Sequence, residues 1–147
     1  MNIYLACTVR GDRAAVGALR DVANLLERDG HTVLTRHLLA DDVERAEAEL
    51  SEREVFDRDM QWLAAADLVI ADASGSCYGV GFEVGYTLGR AEHSGQRVLL
   101  LYDAARRNKI SRLVLGSSHP SCTTCAYENV EELVRVVQSF VVPVAGG

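Results

Sequence analysis

Residues 67–90 read DLVIADASGSCYGVGFEVGYTLGR. The apolar run Asp67–Ala71 has the length of a strand, and the small residues Ala73–Val80 read as a loop. From about Gly81 the pattern is helical. A strand, a glycine-rich turn and a helix in this order form part of a crossover unit, and the flanking sequence repeats the alternation. Upstream, Ile3–Cys7 is strand-like, and Val16, Leu19, Val22, Ala23 and Leu26 recur at helical spacing until Gly30 stops the run. Thr32–Leu38 reads as a second strand, and the acidic, alanine-rich residues 40–50 as a short exposed helix or a mobile connection. Ser51 and Glu54 form an S-x-x-E capping box that opens a helix to about Ala66. Downstream come a strand at Arg97–Tyr102, a short strand around Cys125, a helix over Asn129–Phe140 and a frayed tail, VPVAGG, at 142–147.

Strands separated by helices imply a parallel sheet covered on both faces. Residues 1–141 are therefore expected to form a single α/β domain, a five-stranded doubly wound parallel sheet of flavodoxin-like or Rossmann-like type. Ligands in such sheets bind beyond the carboxyl ends of the strands. That rule singles out three loops: Thr8–Arg13, the residues from His37 onward, and Ala73–Val80.

Composition narrows the function. A chain of 147 residues buries about two-thirds of its unfolded surface and needs no disulfide or metal to fold. A net charge of −6 argues against nonspecific binding to nucleic acid or to an anionic membrane, while a local basic cluster can still hold one phosphate. No segment approaches the ~20 apolar residues of a membrane span. The opening MNIYLAC has neither a basic n-region nor a long apolar h-region, so a cytoplasmic protein is expected. The four cysteines, Cys7, Cys77, Cys122 and Cys125, are too sparse for a disulfide framework. His119, Cys122 and Cys125 offer three zinc ligands, but there is no second pair at matching spacing. Neither a metal nor another cofactor is expected.

The run Gly79-Val80-Gly81 follows the third strand and meets Val84 where a dinucleotide fingerprint needs its third glycine. What survives is a glycine-rich loop entering a helix, which presents backbone N–H groups to an anion. Gly81, Gly85 and Gly89 clear one helix face for close packing on the sheet or on a partner.

Glu83 falls in the first turn of this predicted helix, where it either stabilises the dipole or is a catalytic carboxylate kept ionised by it. In the helix from Ser51, Glu54 has Arg58 and Arg53 has Asp57 at i,i+4. Asp59 has no such partner, and its neighbours at helical spacing are Val55, Phe56, Trp62 and Leu63. A carboxylate on an apolar face is costly unless something satisfies it. It is either a core Asp bonded to backbone or the second acid of a cleft shared with Glu83, and paired acids suggest chemistry at a sugar anomeric carbon. The first loop, TVRGDR, suits a phosphate through the Thr8 hydroxyl, the Arg10 guanidinium and the exposed amides around Val9 and Gly11. Tyr4, mid-strand, is a core aromatic whose hydroxyl needs a partner, and a carboxylate is a natural one.

Together, IYLACTVRGDR, VLTRH, FDRDMQWLAAADLVIAD, CYGVGFEVG and NKISRLVLG resemble the successive motifs of the 2′-deoxynucleoside 5′-monophosphate N-glycosidases, relatives of the nucleoside 2-deoxyribosyltransferases. The resemblance spans residues 2 to about 116. It implies that Glu83 is the nucleophile, that Asp59 orients or protonates sugar and leaving base, and that Tyr4 hydrogen-bonds Glu83. It also implies that Thr8, Val9, Arg10, Gly11, Cys77 and Gly79 hold the 5′-phosphate and sugar, and that His37 lines the base pocket. Ser111 would reach the phosphate from the neighbouring subunit of a homodimer with shared active sites. Three positions depart from the pattern: Cys7 replaces a glycine, Asp12 the second glycine of an R-G-G-R loop, and Cys77 a phosphate-contacting serine. A thiol is a weak donor, and Asp12 brings negative charge toward the phosphate or implies a different loop arrangement.

The implied reaction hydrolyses a deoxynucleoside monophosphate to free base and 2-deoxyribose 5-phosphate through a covalent glycosyl-glutamate. A nucleobase acceptor would make the same site a transferase, and a nucleotide-sensing module is the non-enzymatic alternative. Two carboxylates facing an anionic ligand argue against the sensor. Neither nucleic acid nor membrane is an expected partner.

Overall fold

The computed structural model describes residues 1–141, so the segment 142–147 read above as a tail lies outside the described residues. Five parallel strands, β1 (Asn2–Ala6), β2 (Thr32–Val33), β3 (Leu68–Asp72), β4 (Arg97–Asp103) and β5 (Cys122–Tyr127), lie in the order β2-β1-β3-β4-β5. The helices are α1 (Val16–Arg28), α2 (Val43–Glu47), α3 (Glu52–Ala65), α4 (Tyr78–Ser94), α5 (Arg112–Leu115) and α6 (Val130–Val141). Short 3-10 helices occupy Arg36–Leu39 and Ala104–Lys109. This is the flavodoxin strand order, so the expected five-stranded doubly wound sheet is present, with its switch point between β1 and β3.

Side-chain alternation splits the core into two layers. Ile3, Leu5, Leu68, Ile70, Leu99 and Leu101 pack on the face shared with α1 and α6. Tyr4, Ala6, Val69, Ala71, Val98 and Leu100 pack on the other face, with Leu63 of α3 and Val80 of α4. Tyr4 therefore points toward the helices that carry both candidate acids.

Two elements differ from the sequence reading in ways that shape the site. The second strand stops at Val33, not Leu38. Thr35 is the reason: its hydroxyl accepts from the Leu5 N–H (2.9 Å) and donates to the Leu5 carbonyl (2.7 Å), replacing the next backbone rungs. The chain then turns over the sheet end as the 3-10 turn Arg36–Leu39. The second difference is that α4 begins at Tyr78, after an extended Cys77, so Glu83 is its sixth residue and lies beyond the first turn. Within one chain, α4 packs through Val80, Thr87 and Ala91. A Cβ built on Gly81, Gly85 or Gly89 would meet nothing within 4 Å. The glycine stripe therefore does not pack on the sheet.

Candidate active site

β1 and β3 end side by side, with Ala6 paired to Ala71. The loops that follow approach closely: a Cβ on Gly75 would lie 2.5 Å from Thr8 Oγ1 and 2.9 Å from the Asp12 carbonyl. Gly11 has φ +150°, and a Cβ there would come within 2.9 Å of Thr8 Cγ2. Only glycine fits either position without a shift of the loops. Beside them opens a cleft of about 440 Å³. Val9 and Arg10 line it from the first loop, Cys77, Gly79 and Glu83 from the start of α4, and Val55, Phe56 and Asp59 from α3.

Tyr4 lies fully buried beneath this cleft and donates its hydroxyl to Glu83 Oε1 at 2.5 Å. Burial, then the Glu83 charge, raise the Tyr4 pKa far above the usual phenol range, so Tyr4 is a fixed donor. Glu83 is pushed up to about 7, chiefly by burial; the Tyr4 bond pulls the other way and the Asp59 charge adds to the rise. This corrects the expectation that a helix dipole keeps Glu83 ionised. Desolvation dominates because α4 starts early and places Glu83 past the turn where the dipole acts.

Asp59 is also not without a local partner. Arg58 Nε donates to it at 2.9 Å, and Arg58 Nη2 donates to Glu47 at 2.6 Å, while the guanidinium lies over the Trp62 ring. The expected Glu54–Arg58 pair is absent because Glu54 closes the capping box with Ser51, whereas Arg53 does pair with Asp57. The partners of Asp59 and Arg58 are thus the adjacent residue and a residue of α2, not neighbours at three or four positions along α3.

The other sequence-derived residues fall into two groups. Val9, Arg10, Cys77 and Gly79 join the two acids in the cleft. Thr8, Gly11, His37 and Ser111 do not line it. Thr8 is buried under the loop, with its carbonyl held by Arg13 at 2.7 Å. His37 stands behind Glu47, 3.3 Å from Oε1, and leans on Trp62. Ser111 is exposed at the N-terminal end of α5, and its side chain makes no cap bond.

The three departing residues are accommodated differently. Burial pushes the Cys7 thiol up to about 12, which makes it inert. Asp12 accepts from the Ala14 N–H at 2.9 Å and pairs with Arg106, and these hold its carboxyl below the usual range. Its charge is thus matched by a cation. Cys77 lines the cleft as a free thiol. The Ser121 N–H donates to His119 Nδ1 at 3.1 Å, and no group of three His, Cys, Asp or Glu suited to a metal occurs among the described residues.

The sequence did not show that Arg58 bridges Asp59 and Glu47, that Arg106 pairs with Asp12, or that a buried network closes the end of β3. There Asp72 accepts from Tyr127 (2.9 Å) and from the Ser74 N–H (2.9 Å), and Ser74 Oγ accepts from the Asp103 N–H (2.8 Å). The network ties the 73–77 loop to β4 and β5. An acid closing the otherwise apolar strand LVIAD was the available signal.

The chain resembles known proteins over most of its length. It is 36% identical over 140 residues to a Thermofilum pendens protein named as a 2′-deoxynucleoside 5′-phosphate N-hydrolase, covering 95% of this chain and 94% of that one. It is 32% identical over 119 residues to the 5-hydroxymethyl-dUMP N-hydrolase of Danio rerio, covering 80% of each. A Clostridium botulinum CMP N-glycosidase has the same fold, with a TM-score of 0.69 at 18% identity over 96% of this chain and all of the other. The profile of the nucleoside 2-deoxyribosyltransferase family matches residues 3–133, and the chain belongs to that family.

Proposed function

We propose that this enzyme hydrolyses the N-glycosidic bond of 2′-deoxynucleoside 5′-monophosphates through a covalent glycosyl-glutamate. One observation carries the reading: the buried Tyr4 hydroxyl holds Glu83 in a cleft that Asp59, Arg10 of the first loop and Gly79 at the start of α4 also line. In the first step a Glu83 oxygen bonds to C1′ while the C1′–N bond breaks and its electron pair leaves with the base. Asp59 orients or protonates that base. Water then attacks C1′, releases 2-deoxyribose 5-phosphate and returns Glu83 as a carboxylate. Val9, Arg10, Cys77 and Gly79 take the 5′-phosphate and the sugar from the cleft wall, while Thr8 and Gly11, outside the cleft, shape the loop that presents Val9 and Arg10. A pocket shaped for 2-deoxyribose disfavours a 2′-OH that finds no partner. The proposed setting is the cytoplasm; no helix among the described residues is long and apolar enough to cross a membrane.

The test is to incubate the protein with each of the four dNMPs and chromatograph for free base. At least one dNMP is expected to release base, with the matching ribonucleotide and the unphosphorylated deoxynucleoside poor substrates. Equal turnover of the deoxynucleoside would remove the phosphate from the assignment. Transfer to an added second base at the expense of hydrolysis would favour base exchange.

The proposed homodimer shares its sites through Ser111. This serine is exposed and outside its own cleft, in a segment with Arg106, Arg107, Lys109 and Arg112. Glu83→Gln and Ser111→Asp, each poorly active alone, are to be mixed and allowed to exchange subunits. If Ser111 acts across a two-fold interface, each mixed dimer has one intact site, and about a quarter of wild-type activity returns. No recovery despite confirmed mixing would rule out the shared site.

A further inference from the structure

Glu47 has no role in the chemistry above, yet its surroundings are those of a binding group. It ends α2, and with Leu50 and Phe56 it lines the part of the cleft built by α2, α3 and the segment between them. Its side chain is 15% exposed. Arg58 Nη2 at 2.6 Å and His37 Nε2 at 3.3 Å both bond to Oε1. No described residue bonds to Oε2, so one carboxylate oxygen is fixed by two partners and the other has none among the described residues. Arg58 and His37 both rest against Trp62, with the guanidinium 4.9 Å from the indole centroid and the imidazole 5.2 Å. The same Arg58 holds Asp59 through Nε, which sets Glu47 at a fixed relation to the acid that serves the leaving base.

We propose that Glu47 determines base specificity by accepting a hydrogen bond on Oε2 from an exocyclic amino group of the leaving base. The proposal rests on the nucleotide reading above, in which the phosphate takes the glycine loops and the base takes the α2–α3 wall. A carboxylate oxygen only accepts, so an amino group satisfies it. A carbonyl at the same position sets lone pair against lone pair and leaves both groups desolvated without a partner. Amino-bearing bases are thus selected over their oxo counterparts. His37 acts on the base through Glu47, which accounts for its place behind the cleft.

Cytosine and uracil differ at one exocyclic position as amino against oxo, and adenine and hypoxanthine differ likewise. Binding of dCMP, dUMP, dAMP and dIMP is to be measured by calorimetry in the Glu83→Gln background, so that the result does not depend on turnover. Each amino nucleotide is expected to bind at least about tenfold more tightly than its oxo partner, the ratio that one charged hydrogen bond supplies. Glu47→Gln keeps an oxygen for Arg58 and His37 and can present a donor to the ligand, so both ratios should fall to about one. The idea fails if the oxo nucleotides bind as well as the amino ones, or if Glu47→Gln leaves the ratios unchanged. Discrimination without base release from any dNMP would sink the hydrolase reading and spare Glu47. Failure of all four nucleotides to bind would overturn both.

Discussion

Glu83→Gln is expected to lower kcat for base release by about 1,000-fold or more while the protein stays folded. The amide keeps the volume and can still accept the Tyr4 hydroxyl, so only the attacking charge is lost. Stability should move in the opposite sense. The folded-state pKa of Glu83, about 7, lies above its usual 4.5. Burial of the protonated acid therefore contributes stability that is fully present below pH 4.5 and lost as pH rises through 7, on the order of 3 kcal/mol by linkage. The substituted amide carries no such ionisation cost. The melting temperature of the Glu83→Gln variant should exceed that of wild type at pH 8, with the gap narrowing toward pH 5. For the wild-type enzyme, kcat/KM should climb with a midpoint near pH 7 as Glu83 ionises. Tyr4→Phe removes the bond that favours the carboxylate and should move that limb to higher pH. Near-normal turnover by Glu83→Gln would mean that this side chain is not the nucleophile.

The second large loss is expected for Asp59→Asn, about 100- to 10,000-fold on an ordinary dNMP, the range of a general acid. Asp59 is held by Arg58, whose second contact to Glu47 survives the substitution. The variant should therefore fold with little change in stability. The stabilisation that an unpaired Asp on an apolar face would give on removal is not expected. A 4-nitrophenyl 2-deoxyriboside 5-phosphate has a leaving group that needs no proton. If Asp59 protonates the base, this substrate should recover most of the Asp59→Asn loss and none of the Glu83→Gln loss. Equal loss on both substrates would assign Asp59 to orienting the sugar.

The fold was legible where one physical rule dominated. Val16, Leu19, Val22, Ala23 and Leu26 all lie buried on one face of α1, and the Ser51–Glu54 box forms both of its bonds. Illegible were the places where a side chain takes over backbone work, as Thr35 does in ending β2. The start of α4 was hidden too, because residues 78–80 carry no start signal that separates loop from helix. Asp59 and Tyr4 stood out as polar groups in apolar surroundings, and Glu83 as the single acid at the start of a glycine-rich helix. Their electrostatics did not, since Asp59 is paired by its immediate neighbour and Glu83 is shifted by burial. Glu47 was hidden inside residues 40–50, an acidic stretch that looks like a solvated connection until α3 folds against it and Arg58 finds it.

The central claim is that Glu83 attacks C1′ of a deoxynucleotide, and it is tested most directly by running the reaction in buffered methanol–water. Methanol competes with water for the glycosyl-enzyme, and the methyl 2-deoxyriboside 5-phosphate formed keeps the configuration set by the enzyme, which NMR reads at the anomeric proton. Two displacements at C1′ predict the β-anomer, with net retention relative to the β-nucleotide. The α-anomer would mean a single direct attack by solvent and would contradict a covalent Glu83 intermediate.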